Sequence, residues 1–296
     1  MEEGEGGPLP LTEREFALFQ ALVEREAGMH LSASKQALLV GRLSRRVRSL
    51  GLSSFGAYHQ LVTSQGQESE RTRMLDCLCT NETHFFRQPR QFDHLWRNVF
   101  PEWSRQAARG RMSRRVRVWS AGCSTGEEPY SLAMTLLSRF PPGSGWELEV
   151  LATDLSTWAL ERARQGLWAL DKSAQIPPHL LRAFMLEGVR SQQGWMKAGP
   201  ALRDVLRFAQ VNLNDERSWP EGPFELIFCR NVLIYFGASS RARALQGLLR
   251  RLRPTGYLFL GHAESLTSSA ETARCVAPNI YGLKAPASAE QDPPST

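Results

Sequence analysis

The sequence predicts an α/β fold: a doubly wound, mostly parallel sheet preceded by a small all-helical segment. Three observations predict it. No strand signal precedes residue 110, and apolar residues at helical spacing fill that stretch. From Arg115 onward, strand-like and helix-like stretches alternate, as parallel sheets require. The chain of 296 residues suits one large domain or two modest ones, at ~100–200 residues each.

Each element has its own signal. Thr12 and Glu15 form a capping box ahead of Phe16, Phe19, Leu22 and Val23, and Gly28 ends that helix. A second helix is expected from about Ser34 to Leu50, with Leu39, Leu43, Val47 and Leu50 as its stripe and Gly51 as its stop. Phe55, Tyr58, Leu61 and Val62 mark a third, and Arg71 to Leu78 a fourth. Strands are expected at 115–122, 146–154, 224–231 and 256–262. Helices are expected at Pro129–Phe140, Ser156–Gln165 and about Ser239–Leu252. The stretch 166–212 breaks the alternation and reads as an inserted subdomain, because so long a loop without structure is uncommon.

Composition narrows the class. Hydrophobic residues are 42% and charged residues 22%, which is globular rather than disordered. The polar, Pro-rich ends, 1–10 and 285–296, are expected to be disordered. No apolar run reaches the ~18–20 residues of a membrane span, and MEEGEGGPLPL lacks the features of a signal peptide, so a cytoplasmic protein without membrane insertion is expected. Cys77, Cys79, Cys123, Cys229 and Cys275 are odd in number and scattered; reduced thiols are expected, with no metal site. The net charge is +6, and two stretches hold arginines without any acid. One carries Lys35, Arg42, Arg45, Arg46 and Arg48; the other runs from Arg105 to Arg117. Such runs read either as solvated faces or as a landing surface for an acidic partner.

Four motifs carry chemistry. In VWSAGCSTGEEPYSLA (118–133), Gly122 and Gly126 let a ligand approach the backbone. Glu127 stands where a phosphate loop needs lysine, and the pattern is not G-x-G-x-x-G either. Glu127 and Glu128 would repel a pyrophosphate; they suit a cationic ligand or cap the helix. Asp154 ends the next strand, where an acid commonly holds a ribose diol. A nucleoside with a positive charge and no phosphate, as in S-adenosylmethionine, fits both. TNETHFFRQ (80–88) offers Asn81, Thr83 and Arg87 where the helical part ends, and IFCRNVLIYF (227–236) sets Arg230 and Asn231 at a strand end, followed by Tyr235. Buried polar groups of that kind need partners.

TNETHFFR, SAGCSTGEEPYSLA, ATDLS, VNL, FCRNVLIYF and GHAESL, in that order, resemble the CheR chemotaxis receptor methyltransferases over roughly residues 11–284. The resemblance implies an N-terminal helical docking domain (11–90) and a Rossmann-like S-adenosylmethionine-binding domain (91–284) with a small β-subdomain inserted at about 166–210. It implies methyl transfer to glutamate side chains on the cytoplasmic helical bundle of chemoreceptors, leaving S-adenosylhomocysteine. It implies a cofactor site of Asn81, Thr83, Arg87, Gly122, Glu127, Asp154, Asn212, Leu213, Arg230 and Asn231, with receptor docking by Arg42, Arg45, Arg46 and Arg48. His262 of GHAESL reads as structural. Some members hold a receptor's C-terminal pentapeptide on a Gly-rich loop of the insert; 186–200 carries Gly188, Gly194 and Gly199 without matching it. A glutamate of pKa ~4.3 is already ionised at neutral pH, so it needs no general base. Arg87 is expected to orient the incoming carboxylate, with Tyr235 near the methyl. Two other readings stand beside this one. A nucleic-acid methyltransferase is argued against by the missing Asn/Asp-Pro-Pro-Tyr/Phe loop and by cysteines that never follow proline. The other is a catalytically silent scaffold that binds the cofactor.

Overall fold

The computed structural model describes residues 9–266 and 272–284. Four helices come first: α1 (Glu13–Ala27), α2 (Gln36–Ser49), α3 (Phe55–Thr63) and α4 (Glu68–Leu78). The capping box at α1 forms as expected. Thr12 Oγ1 accepts from the Glu15 amide at 3.2 Å, Glu15 Oε2 accepts from the Thr12 amide at 2.9 Å, and Gly28 closes the helix at φ 69°. Phe19, Leu22, Leu39, Leu43, Phe55 and Tyr58 are fully buried and form this domain's core.

The bridging segment is helical: α5 (Pro89–His94) passes through a π turn, Leu95–Val99, into α6 (Phe100–Ala108). The alternating part follows. It comprises β1 (Arg115–Ala121), α7 (Glu127–Arg139), β2 (Glu147–Asp154), α8 (Thr157–Gln165), β3 (Leu167–Ala169), α9 (Pro178–Phe184), β4 (Met185–Glu187), β5 (Trp195–Ala198), α10 (Pro200–Val205) and β6 (Leu206–Gln210). It ends with β7 (Phe224–Cys229), α11 (Ala238–Arg250), β8 (Leu252–Leu260), β9 (Ala273–Ala277) and β10 (Ile280–Leu283).

The large sheet has the order β6-β2-β1-β7-β8-β10-β9. Pairs from β6 to β8 are parallel, and β10 runs antiparallel to both its neighbours. From β1 the chain winds one way to β2 and β6, then crosses to β7 on the other side. A crevice therefore opens over the carboxyl ends of β1 and β7, the place where such sheets bind ligands. The stretch 166–210, expected as one insertion, divides. β3, β5 and β4 form a separate antiparallel sheet, whereas β6 joins the edge of the large one. β6 was not legible because only Leu206 of its five residues is buried, so it lacks an apolar pattern. Expected disorder at 1–10 and 285–296 lies outside the described residues except at Leu9 and Pro10, and Leu9 packs on the helical core.

The helical domain is fastened over the strand ends at three places. Asn212 and Asn214, after β6, donate side-chain amides to the carbonyls of Glu26 (2.6 Å) and Arg25 (2.9 Å) in the last turn of α1. The His30 amide donates to the Tyr235 carbonyl at 2.7 Å, and Gly237 donates to Gly28 at 3.0 Å. Asp76 of α4 caps α8, accepting from the Thr157 amide at 2.8 Å and its hydroxyl at 2.6 Å.

Candidate functional site

A cavity open at its mouth sits between the helical domain and the strand ends. The loop after β1 forms one wall. Gly122 has φ 89°, and a Cβ there would stand 2.3 Å from Val232 Cγ2, so only glycine fits. Gly122 and Cys123 both donate to the Thr153 carbonyl, at 2.8 and 2.9 Å, which folds the loop over β2. Ser124 then presents its amide to Asp154 Oδ2 at 2.7 Å and its hydroxyl to the Asn81 carbonyl at 3.0 Å. The Ser156 amide donates to Asp154 Oδ1 at 2.9 Å. Each Asp154 oxygen thus keeps acceptor capacity for a ligand. Burial pushes the Asp154 carboxyl above its ordinary value, opposed by those amide donors.

Opposite lies a buried ion pair. Arg230 Nε donates to Glu128 Oε2 at 2.6 Å, and the Ser120 hydroxyl donates to Glu128 Oε1 at 2.7 Å. Arg230 also donates through Nη1 to the Arg87 carbonyl and to Gln91 Oε1, while Gln91 Nε2 reaches the Leu260 carbonyl at 2.8 Å. Arg87 lines the cavity and donates to the Glu82 carbonyl at 3.2 Å. Its neighbours Phe86 and Gln88 have φ of 53° and 62°; Ser124 and Asn231, also on the cavity, have 50° and 60°. Strained backbone of this kind gathers at functional sites, where the surrounding structure enforces it. Met29, Leu155, Val211, Leu213 and Phe236 supply an apolar wall, and Tyr235 stands 38% exposed at the cavity. Cys79 also lines it, but burial, with Asp154 nearby, raises its thiol to about 12, so it is not a thiolate nucleophile at neutral pH.

Most expected cofactor residues meet here: Asn81, Thr83, Arg87, Gly122, Asp154, Asn212, Leu213, Arg230 and Asn231 all line the cavity. Glu127 does not. It is fully buried, pairs with Lys172 from the segment after β3, and accepts from the Thr125 hydroxyl at 2.6 Å. The carboxylate on the cavity is Glu128 instead, because consecutive helix residues point about 100° apart. Asn212 lies in the wall, but its side chain is engaged by α1 and its own loop.

The arginines expected at a docking surface separate likewise. Arg42 turns inward, to the Leu78 carbonyl and to Thr80 Oγ1 at 2.9 Å. Arg46 pairs with Glu70, which also accepts from the Tyr58 hydroxyl at 2.9 Å. Arg45 and Arg48 are exposed. Sequence reasoning missed Glu264 of GHAESL, which is 6% exposed and accepts backbone amides beside the cavity.

The donor set fits S-adenosylmethionine. The strand-end carboxylate suits a diol and opposes phosphate, the apolar wall suits a purine, and Arg87 suits an amino-acid or protein carboxylate. The buried Oδ1 of Asn231 has no partner within the protein and calls for a donor. A doubly wound sheet with a cavity at its switch point is the class of α/β protein that binds a nucleoside-type ligand across its strand ends. Residues 81–281 match the family model described as the CheR methyltransferase SAM-binding domain, and residues 14–79 match its all-alpha domain. The chain belongs to the CheR methyltransferase family.

Two curated relatives illustrate the match. The chemotaxis protein methyltransferase of Escherichia coli K12 is 35% identical over 260 residues, covering 88% of this chain and 87% of that protein. Chemotaxis protein methyltransferase 2 of Pseudomonas aeruginosa PAO1 is 36% identical over 275 residues, covering 91% and 93%.

Proposed function

We propose that this protein transfers a methyl group from S-adenosylmethionine to glutamate carboxylates on the cytoplasmic helical bundle of a chemoreceptor. The products are a glutamate methyl ester and S-adenosylhomocysteine, and the protein works in the cytoplasm. One observation carries the choice of acceptor. Among the described residues lining the cavity there is no histidine or lysine, its buried carboxylate Glu128 is paired with Arg230, and Arg87 offers a cation to an incoming carboxylate. An amine or hydroxyl acceptor must shed a proton; a carboxylate has none to shed.

When bound, the cofactor supplies a methyl group activated on a sulfonium. The chain's own residues bind, orient and exclude water. Asp154 and Asn231 would hold polar parts of the nucleoside and amino acid, and the wall of Leu155, Val211, Leu213 and Phe236 would hold the base. Arg87 would orient the incoming carboxylate, with Tyr235 beside it at the mouth. The attacking oxygen and the sulfonium carry opposite charges that cancel as the methyl moves. A dry, positioned site therefore favours the step, and positioning is worth up to ~7–11 kcal/mol. Arg45 and Arg48 on the outer face of α2 would meet the acidic receptor bundle.

The test is transfer of tritiated methyl from S-adenosylmethionine to receptor-enriched membranes. Incorporation released by mild base, as a carboxyl ester must be, supports the reading. Base-stable label, or label on nucleic acid, refutes it. Arg87→Ala is expected to lower turnover sharply while cofactor affinity changes less.

A further inference from the structure

The carboxylate of Glu264 gathers five backbone amides. Oε1 accepts from Val232 at 3.0 Å, Leu233 at 2.8 Å and Ile234 at 3.3 Å. Oε2 accepts from Asn231 at 2.8 Å and Gly261 at 2.6 Å. Nothing in methyl transfer as described above uses this residue. Its place is nevertheless prepared from several sides. A Cβ at Gly261 would lie 2.7 Å from Glu264 Oε2 and 2.9 Å from the Asn231 amide, so glycine is what lets the three meet. Asn279, in the turn between β9 and β10, donates its side-chain amide to the carbonyls of Gly261 (3.0 Å) and Glu264 (2.6 Å) from behind.

The segment so gripped is the cavity's wall. Asn231, Val232 and Tyr235 all line it, and Asn231 sits at φ 60° with its Oδ1 buried and unpartnered. Asparagine adopts that backbone more readily than other side chains, but a free turn would also sample the ordinary right-handed region. Four consecutive amides converging on one carboxylate restrict that sampling, and an ionised acceptor makes each bond stronger than a neutral one would. We infer that Glu264 is a positioning residue for the cofactor, holding Asn231 and the turn to Tyr235 in the one conformation that completes the nucleoside site. This rests on the cavity being that site.

The residue type matters as much as the contact. A glutamine is the same size, but its NH₂ would confront either the Asn231 and Gly261 amides or the other three. An aspartate keeps the charge and falls one methylene short. The experiment is calorimetric titration of the full chain with S-adenosylhomocysteine. Glu264→Gln is expected to weaken binding at least tenfold, with Glu264→Asp intermediate, and His262→Ala, exposed in the same loop, within twofold of wild type.

A residue that merely keeps the chain folded would lower the number of binding sites per chain and leave the Kd of the folded fraction unchanged. If Glu264→Gln does not fold, Glu264→Asp decides by the same reading. A residue that acts through Asn231 gives a further signature: adding Glu264→Gln to Asn231→Ala weakens binding little beyond Asn231→Ala alone. Unchanged Kd in both Glu264 variants, with normal binding by wild type, overturns this inference alone. Absence of binding by wild type overturns the reading of the cavity as well.

Discussion

Arg230 and Glu128 join the two halves of the sheet across its switch point. The guanidinium follows β7, the carboxylate lies in the first turn of α7 beyond β1, and the two side chains are 2% and 9% exposed. Buried pairs contribute little net stability, but removing one partner strands a charge. Glu128→Ala should therefore cost about 3–5 kcal/mol in denaturant unfolding. Glu128→Leu combined with Arg230→Met should cost less than Glu128→Ala alone, yet still impair cofactor binding, because Arg230 also holds the Arg87 carbonyl. Equal loss in both variants would show that the pair's electrostatics are not what matters there.

Gly122 faces two constraints that a double variant separates. Gly122→Ala meets both the clash with Val232 and the cost of φ 89°. Left-handed strain alone is worth about 1–3 kcal/mol. Adding Val232→Ala should recover the clash and leave the strain, so thermal melting should rise part of the way toward wild type. Complete recovery would mean the backbone conformation carries no cost.

Glu70 gives the helical domain a pH dependence. The hydrogen bond from Arg46, reinforced by the Tyr58 hydroxyl, holds its carboxyl below the ordinary glutamate value against the opposing effect of burial. A carboxyl depressed in the folded state stabilises above its unfolded pKa, and that stabilisation is lost as pH falls through the folded value. Glu70→Gln should thus cost about 1–3 kcal/mol near pH 7, with the gap from wild type closing in acid. A gap independent of pH would contradict this.

Arg45 and Arg46 are adjacent in sequence and opposite in setting, Arg45 exposed and Arg46 paired with Glu70, and the proposed docking face separates them further. Arg45→Glu should raise the receptor KM by reversing an exposed charge and leave unfolding within about 0.5 kcal/mol of wild type. Arg46→Ala should do the reverse, lowering stability by leaving Glu70 unpaired. The check is a pair of melts alongside methylation kinetics at low salt, where surface charge acts most strongly.

These adjacent residues also show where sequence reasoning stops. Helical spacing places Arg42 with Arg46 and Arg45 with Arg48 along α2, but which pair turns inward depends on Glu70, Thr80 and the Leu78 carbonyl, which lie 24 to 38 positions away. Glu127 and Glu128 pose the same problem: their partners Lys172 and Arg230 are 45 and 102 residues distant. What could be read locally was the strand–loop–helix at Gly122 and the acid ending β2, because one strand's end and one glycine's freedom settle them. The edge strands β6 and β9 were missed for a physical reason. Each has a single buried residue, so neither displays the apolar alternation that marks a strand.

The most direct test of the account is calorimetry with S-adenosylhomocysteine on wild type and Asp154→Ala across pH. The Asp154 carboxyl is raised by burial, and its charged form is the better acceptor for a diol. Wild-type affinity should hold steady at neutral pH and decline as pH drops through that raised value, whereas Asp154→Ala should bind at least tenfold more weakly with no such decline. Equal affinity in the two proteins, or competition by a nucleoside phosphate, would contradict the assignment of the cavity.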